Sequence, residues 1–345
     1  MNKNRVLFFS SVSNPDLFRI TGFYVLDIKA LINAGFEVEV TNKFTSFLKF
    51  WKYDIAFLYF YKKSILPGII SRIFNKYIFY TGGIDELSIS NNYSFISKLK
   101  FNIFFILNYL ISNTCNIVSK EDFNNVSNLL DKYKINKYKI KYFPHCIDNI
   151  NYFKFSEISK GNIMTTICWM GTEDNVRRKG VDKTLYIFKE ILNLNPEFNL
   201  YIVGTYGKGK SYLDNIIKKL NLSNNVIFTG PISENDKLNL LNKSKFYFQI
   251  SKYEGFGIAV IEAMFFKNFI IHSGEGGLKD TIRDGGLIVT NKQSEKQIAK
   301  EIMNINDNIN NVLTTLDKNK DFVNKNFSLN TRSQKFKLII ENENK

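Results

Sequence analysis

The chain has 345 residues, of which 44% are hydrophobic and 15% aromatic, so it is long enough for two domains that each bury a core. Its formal net charge is +15, but the excess is mostly lysine, is spread over both halves and forms no basic tail. Nucleic acid is therefore not expected as a partner. A diffuse positive surface instead attracts anionic lipid headgroups or a substrate that carries phosphate.

Cysteines and histidines are too few and too scattered to form a disulfide framework or a metal site. Cys115, Cys146 and Cys168 are unevenly spaced and predict free thiols. His145 and His272 are the only histidines, and the chain contains no Asp-x-Asp pair to hold a metal-bound diphosphate. We therefore expect neither a metal site nor a resident cofactor.

The N-terminal sequence MNKNRVLFFSSVS has a charged start but only a short apolar run, which predicts a first strand, no signal peptide and a cytoplasmic protein. The longest apolar run, at 101–111, is too short to span a bilayer. With Lys98 and Lys100 just upstream, it fits a helix at a membrane interface. A core helix of the first domain is the alternative, and the shortness of the run favours it.

Strand-like and helix-like segments alternate along the first part of the chain. This alternation implies right-handed crossovers and a parallel sheet, and it predicts a doubly wound domain over residues 1–155. A polar stretch at 152–161 marks the boundary. The strand-like segments are RVLFFS, FEVEVT, DIAFLYFY, KYIFYT, NIVS and KIKYF, and the helix-like ones include FYVLDIKALINAG and EDFNNVSNLLDKY.

Strand-like and helix-like segments alternate again in the second half, which predicts a second Rossmann-like domain over residues 156–326. Two such domains in tandem place a cleft between two carboxyl-edge surfaces. Residues 327–345, with Ser328 as N-cap, predict a final helix that packs back toward the first domain. The strand-like segments of the second domain are MTTICWMG, NLYIVG, NVIFTG, YFQIS, FIIHSG and GLIVT.

The segment KYEGFGIAVIEAMFFK, at 252–267, predicts a strand that runs through a glycine turn into an apolar helix. Gly255 and Gly257 allow close approach of the backbone to a ligand, and the start of the helix suits a phosphate. Glu254 stands at the strand end, where ligands of α/β sheets collect. Glu262, among apolar neighbours, would accept hydrogen bonds from sugar hydroxyls. Alternatively, Glu254 is a solvated loop residue and Glu262 faces water.

The second half carries several motifs in one order, and the series resembles the donor half of the retaining GT-B glycosyltransferases of family 4, glycosyl transferases group 1. The resemblance covers residues 161–345 and is weaker over 1–150. It implies an α/β GT-B fold in which two doubly wound, Rossmann-like domains face a central cleft. The motifs are MGTEDNVRRKG, LYIVG, VIFTGPIS, the two glutamates separated by seven residues, and GGLKDTIRDGG.

The resemblance also implies roles for individual residues. Lys179 matches the lysine that contacts the donor diphosphate and stabilises the leaving group. Glu262 matches the residue on the ribose hydroxyls, and Glu254 the one nearest the transferred sugar. The remaining donor-binding positions are Gly255, Phe256, Gly257 and Ile258, whose backbone meets diphosphate and sugar, and Pro231 and Ile232 at the base pocket.

Two positions depart from the family pattern. The family often has an arginine where this chain has Thr172, and Arg177 or Arg178 could supply that charge from further along a longer loop. Many relatives carry a cleft histidine in the first domain, whereas this chain has a glycine turn followed by Asp85. Asp85 is accordingly a candidate contact to donor sugar or acceptor, and a capping residue of that turn is the alternative.

The implied activity is transfer of a sugar, most readily from a UDP-sugar, to a glycan or lipid-linked acceptor in cell-surface polysaccharide synthesis. The enzyme would be a metal-independent hexosyltransferase that retains the anomeric configuration, cytoplasmic and peripheral at the inner face of the membrane. One alternative is a sugar-nucleotide epimerase or hydrolase on the same scaffold. Another is a non-catalytic basic protein that binds lipid or nucleic acid.

Overall fold

The computed structural model describes residues 5–84, 94–152, 154–156, 158–282 and 285–343. The chain divides into two compact units. Unit 1 comprises Met1–Asp148 and Asn326–Lys345, and unit 2 comprises Asn149–Lys325. The boundaries predicted from the sequence fall after residues 155 and 326. Each unit is built on one six-stranded parallel sheet with flanking helices.

The sheet of unit 1 has the strand order β2-β1-β3-β4-β5-β6, with every pairing parallel. Strands β3 and β4 are buried on both faces, as expected for the continuous apolar runs of a parallel sheet. The strands are β1 (Arg5–Phe9), β2 (Glu37–Thr41), β3 (Ile55–Tyr59), β4 (Tyr77–Thr81), β5 (Thr114–Ile117) and β6 (Ile140–Tyr142). The helices are α1 (Leu17–Ile20), α2 (Gly22–Asn33), α3 (Ile65–Ile73), α4 (Phe95–Ile111) and α5 (Lys120–Lys132).

Aromatic side chains form much of the core of unit 1. Phe8, Phe57 and Phe79 occupy paired positions on β1, β3 and β4. Their rings stack in sequence, with centroids 5.1 Å apart between the first two and 4.7 Å apart between the last two. Aromatic pairs across adjacent strands stabilise a sheet beyond the area that they bury. The high aromatic content of the sequence is thus used to hold the middle of this sheet together.

The sheet of unit 2 has the order β12-β11-β10-β7-β8-β9, again with parallel pairings. The strands are β7 (Ile163–Ile167), β8 (Asn199–Val203), β9 (Val226–Gly230), β10 (Phe246–Gln249), β11 (Phe269–His272) and β12 (Gly286–Ile288). The helices are α6 (Asn149–Tyr152), α7 (Glu173–Lys179), α8 (Val181–Leu194), α9 (Lys208–Lys219), α10 (Glu234–Lys243), α11 (Ile258–Phe265), α12 (Leu278–Ile282), α13 (Glu295–Asp307) and α14 (Leu313–Asn326).

The C-terminal helix α15 (Leu329–Glu343) belongs to unit 1 and packs against α2. Ile147 N donates to the carbonyl oxygen of Phe327 at 2.8 Å, so the chain is tied to unit 1 just before this helix begins. Next to this connection, burial lowers the pKa of His145 to about 3, with a further contribution from the charge of Arg332. His145 is therefore neutral at physiological pH.

Candidate functional site

The segments that follow β7 and β10 meet at the switch point of the unit 2 sheet. These two strands are neighbours, but the chain continues from β7 to β8 on one side and from β10 to β11 on the other. In open α/β sheets, ligands bind outside the carboxyl ends of the strands at such a point. Helix α7 follows β7, and the glycine turn into α11 follows β10.

Residues 173–179 form helix α7, where the sequence analysis predicted a long loop. Thr172 is its N-cap, with the side-chain oxygen accepting a hydrogen bond from Asn175 N at 3.2 Å. Acidic residues occupy the first turn and basic residues the last, and Gly180 ends the helix in the left-handed region at φ 68°. These are ordinary signals for the start and stop of a helix. The loop prediction was wrong, and the sequence contained the signals to correct it.

Gly180 fixes the position of Lys179 relative to the end of β10. A Cβ atom at Gly180 would lie 2.0 Å from the carbonyl oxygen of Ile250, so only glycine lets the end of α7 come this close. At the end of β7, burial raises the pKa of Cys168 to about 11, and the charges of Lys179 and Arg178 oppose this shift. The end of α7 is therefore close to both central strands.

Lys179 and Glu254 form an ion pair at this edge of the sheet. The lysine Nζ lies 2.5 Å from Oε2 of the glutamate, and the two side chains are only 21% and 14% exposed. The same oxygen accepts hydrogen bonds from Gln249 Nε2 at 3.0 Å and Ser251 Oγ at 3.4 Å. Partial shielding from water strengthens such charge-assisted bonds. The sequence nominated the two charged residues but neither of the two polar ones.

The two arginines before Lys179 have different partners. Arg177 binds Glu173 Oε1 through Nε at 2.8 Å and Nη2 at 2.7 Å, and its guanidinium lies 4.3 Å from the ring centroid of Tyr212. Arg178 Nη1 instead contacts the carbonyl oxygen of Tyr253, the residue before the turn glutamate, at 3.4 Å. Arg178 is thus held at the turn that contains Glu254, whereas Arg177 is held by Glu173 of its own helix and by Tyr212 of α9.

The glycine turn packs tightly against the loop that follows β11. Gly277 N donates to the carbonyl oxygen of Glu254 at 2.7 Å, and a Cβ at Gly277 would lie 2.4 Å from the carbonyl oxygen of Gly255. Phe256 is buried, and Gly257, the N-cap of α11, has φ 88°. The turn is therefore fixed, and the positive end of the α11 dipole lies at the carboxyl edge of the sheet.

Glu262 lies within α11 and is 4% exposed. Both of its carboxylate oxygens lie 2.9 Å from Lys237 Nζ, and Oε1 also accepts a hydrogen bond from Tyr152 at 3.1 Å. Burial raises the pKa of Glu262, and the charge of Lys237 counteracts this effect. Burial alone would lower the pKa of Lys237, but Glu262 and Glu234 outweigh it, so that pKa is raised. The carboxylate thus has the partners that its burial requires.

Pro231 and Ile232 lie between β9 and α10, after Gly230 with φ 70°. Strand β9 is at the sheet edge, separated from β10 by β7 and β8. The turn leads into α10, and Lys237 of α10 contacts Glu262 of α11. The lysine was missed in the sequence because the contact joins two helices that are distant along the chain.

Asp85, the predicted first-domain contact, lies outside the described residues. Within residues 5–84, 94–152, 154–156, 158–282 and 285–343, no group of three or more His, Cys, Asp or Glu side chains is placed to hold a metal ion. Cys115, Cys146 and Cys168 are buried free thiols, in agreement with the sequence.

Comparison with known proteins supports a resemblance to glycosyl transferases group 1. Residues 174–324, all within unit 2, match the model of the family Glycosyl transferases group 1. An uncharacterized glycosyltransferase of Methanocaldococcus jannaschii is 30% identical over 157 residues, which are 44% of this chain and 42% of that protein. A GDP-mannose:cellobiosyl-diphosphopolyprenol alpha-mannosyltransferase of Xanthomonas oryzae is 32% identical over 87 residues, 25% of this chain and 23% of that protein. The matches thus span less than half the length of these curated relatives.

Solved structures of similar fold cover nearly all of the chain. The Anabaena protein HepE in complex with UDP and glucose has a TM-score of 0.75 at 16% identity, covering 98% of this chain and 99% of HepE. Sucrose-phosphate synthase from Thermosynechococcus elongatus has a TM-score of 0.70 at 15% identity, covering 98% of each chain. Together with the two parallel six-stranded sheets, these likenesses confirm the predicted α/β GT-B fold with two Rossmann-like domains.

Proposed function

We propose that this chain transfers a sugar from a nucleotide diphosphate sugar to a glycan or lipid-linked acceptor, with the anomeric configuration retained. The observation that carries the proposal is the Lys179–Glu254 ion pair at the switch point, next to the helix that holds Glu262. The family match supports glycosyl transfer. The complex of the similar HepE structure with UDP-glucose supports a UDP-sugar donor, and the name of the mannosyltransferase relative supports a lipid-linked acceptor.

In this proposal the donor diphosphate lies at the first turn of α11, within reach of Lys179 and Arg178. Positive charge that is already in place stabilises the negative charge growing on the leaving group. The departing phosphate oxygen helps to deprotonate the acceptor hydroxyl on the same face, so retention requires neither a protein nucleophile nor a metal. Glu254 holds Lys179 in position and lies beside the transferred sugar.

Glu262 would accept hydrogen bonds from the two ribose hydroxyls. Lys237 and Tyr152 already orient its carboxylate, so little conformational freedom is lost when the nucleotide binds. The charge of Lys237 counteracts the rise in the pKa of Glu262 caused by burial and so favours the charged form, which makes the stronger hydrogen bond. This role explains why a carboxylate is buried in an otherwise apolar helix.

Replacing Glu262 with glutamine is expected to weaken UDP binding about tenfold or more, because hydrogen bonds to a charged group contribute about 1.5–3 kcal/mol. Titration calorimetry with UDP measures the effect. The matched control is Glu234→Gln, which removes the other carboxylate on Lys237, 2.9 Å away but 60% exposed. Equal affinities in wild type and Glu262→Gln, or an equal loss in both variants, would contradict the assignment.

Incubation with the donor alone separates transfer from the rival activities. A transferase leaves most of the UDP-sugar intact until an acceptor is added, whereas a hydrolase releases free sugar and an epimerase changes its configuration. A non-catalytic basic protein would not bind UDP, and its binding to DNA would weaken steeply with added salt. With an acceptor present, the anomeric proton of the product reports retention or inversion by NMR.

We further propose that unit 1 contacts an anionic membrane surface through an apolar face on α3 and α4. The two helices pack together, and along each one the exposed apolar residues recur at helical spacing. Lys62, Lys63, Lys98, Lys100 and Arg72 flank the face and suit acidic headgroups. The face consists of Leu66, Ile69, Ile73, Phe95, Ile96, Leu99, Ile103, Leu107 and Leu110, which are 42–80% exposed.

Helix α4 is apolar on its other side as well, where Phe101, Phe105 and Tyr109 enter the core of unit 1. The core-helix alternative for this segment thus holds for one side of α4, and the interfacial alternative that we propose concerns the other side. Among the residues that the structure describes, no helix is long and apolar enough to cross a membrane. An exposed apolar patch of this extent on a protein surface marks an interaction site.

The double substitution Ile103→Glu with Leu107→Glu is expected to lower binding to phosphatidylglycerol vesicles at least about tenfold, since each apolar side chain buried contributes about 1.5–3 kcal/mol. Co-sedimentation measures the bound fraction. Leu338→Glu, at an exposed apolar position on α15, is the control and should bind as wild type does. If vesicle binding is unchanged while a wild-type dimer becomes monomeric, the face binds a second copy and the membrane proposal is wrong.

A further inference from the structure

Unit 2 contains a cavity at the opposite end of its sheet from the Lys179–Glu254 pair. The cavity has a volume of about 340 Å³. Three of its lining residues, Lys160, Lys245 and Lys267, come shortly before β7, β10 and β11. Because the strands are parallel, these lysines meet at the amino edge of the sheet. The cavity therefore lies away from the Lys179–Glu254 pair, and Tyr152 on its wall is shared with the Glu262 contact.

The walls of this cavity are mainly apolar and are held in place by packing. Tyr152 packs its ring against Phe265 and Phe266, with centroids 5.4 and 5.6 Å away, and Phe155 packs against Phe266 at 5.6 Å. Leu313, on the wall, remains 47% exposed. Preformed cavities of a few hundred cubic ångströms with apolar walls are typical of small-molecule sites.

The polar part of the lining is positive. Among the described lining residues, four are lysines and only Asp317 is acidic. Asp317 is bound by Lys267 at 2.7 Å. Lys245, which is partly buried, donates instead to two neutral amide oxygens, those of Asn162 at 3.2 Å and Asn306 at 2.8 Å. An anionic group beside Lys245 would gain a charge-assisted hydrogen bond in a site partly shielded from water.

From these contacts we infer that the cavity binds an amphipathic anion. An apolar chain would lie among Phe265, Phe266, Leu313 and Leu316, and an acidic phosphate or carboxylate head would bind at Lys245. The apolar walls and the basic residues each account for one part of such a ligand. A neutral detergent can pack only against the apolar walls, and free phosphate can bind only to the lysines.

Dodecyl phosphate below its micelle concentration is the probe, with titration calorimetry on the full chain as the measurement. We expect saturable binding, at least about tenfold weaker binding of dodecyl maltoside, and no detectable binding of inorganic phosphate. Equal affinity for the phosphate and the maltoside would overturn the proposal. So would binding of inorganic phosphate alone, because the apolar cavity would then have no part in recognition.

Two variants locate the binding within the cavity. Leu313→Trp fills the space at an exposed wall position, and Lys245→Met removes the charge while keeping most of the side-chain length. Each is expected to weaken dodecyl phosphate binding about tenfold or more. Lys243→Met is the matched control, an exposed lysine at the end of α10, and should leave affinity within about twofold. Wild-type affinity in Leu313→Trp overturns the proposal even if Lys245→Met fails to fold. The measurement is binding without a sugar donor, so its outcome is independent of the proposed transferase activity.

Discussion

Replacing Lys179 with alanine is expected to lower turnover of a nucleotide diphosphate sugar about 10²–10³-fold, the loss typical when one preorganised donor to a developing negative charge is removed. The ammonium group is held at the switch point by Glu254 and by the glycine that ends α7. It therefore does not have to reorganise as the leaving group becomes charged. Donor affinity should fall less than turnover, because the charge on the leaving diphosphate increases in the transition state.

A steady-state assay of product, with the donor concentration raised until the rate saturates, gives kcat and KM separately for this variant. Lys183→Ala is the matched control. It removes a lysine early in α8, whose Nζ lies 3.4 Å from Asn291 Oδ1, and it should retain wild-type turnover. Wild-type kcat in Lys179→Ala would contradict the assignment of the leaving-group role. An equal loss in both variants would show a general effect of surface charge instead.

The fold could be predicted because most of its strands are short apolar or aromatic runs bounded by polar residues. Each of the twelve strands in the described part of the chain overlaps a segment that the sequence marked as strand-like, although β5 (Thr114–Ile117) shares only two residues with the predicted NIVS, and the alternation with helices implied a parallel sheet. The glycine turn before α11 was also readable, since Gly257 adopts a positive φ of 88° that other residues rarely accept. The strands and the glycine turn depend on residues close together in the sequence, so they could be predicted from it.

The partners of the site residues could not be predicted in the same way. Lys237 reaches Glu262 from another helix, and Tyr152 reaches it from α6. Such contacts depend on how elements pack, and neither periodicity nor spacing specifies them. Arg177 and Arg178 show the same limit: the sequence could not choose between them, while α7, once formed, holds them in contact with different neighbours.

The C-terminal helix contains the least predictable residue of unit 1, because arginine is almost never fully buried unless it is paired. Arg332 is 2% exposed, and its Nε lies 2.5 Å from Asp27 Oδ1. Its guanidinium also lies 4.5 Å from the ring centroid of Phe143 and 5.0 Å from that of Phe336. The sequence predicted a helix in this segment but gave no sign that the arginine would be in the core.

Arg332→Ala is expected to lower the free energy of unfolding of unit 1 by about 3–5 kcal/mol, the usual cost of removing one partner of a buried ion pair. Asp27 would remain buried, retaining a hydrogen bond from Tyr59 but losing its cation. Denaturant titration in a Trp169→Phe background measures this change, because Trp51, the other of the two tryptophans in the chain, then reports unit 1 alone.

Lys337→Ala, at an exposed position on the same helix, should change that free energy by less than about 0.5 kcal/mol. The double variant Asp27→Asn with Arg332→Met should be more stable than Arg332→Ala, since it leaves no unpaired charge in the core and keeps much of the buried volume. If Arg332→Ala and Lys337→Ala unfold at the same denaturant concentration, the ion pair does not stabilise unit 1. If the double variant is less stable than Arg332→Ala, the loss arises from packing around Phe143 and Phe336 and not from an uncompensated carboxylate.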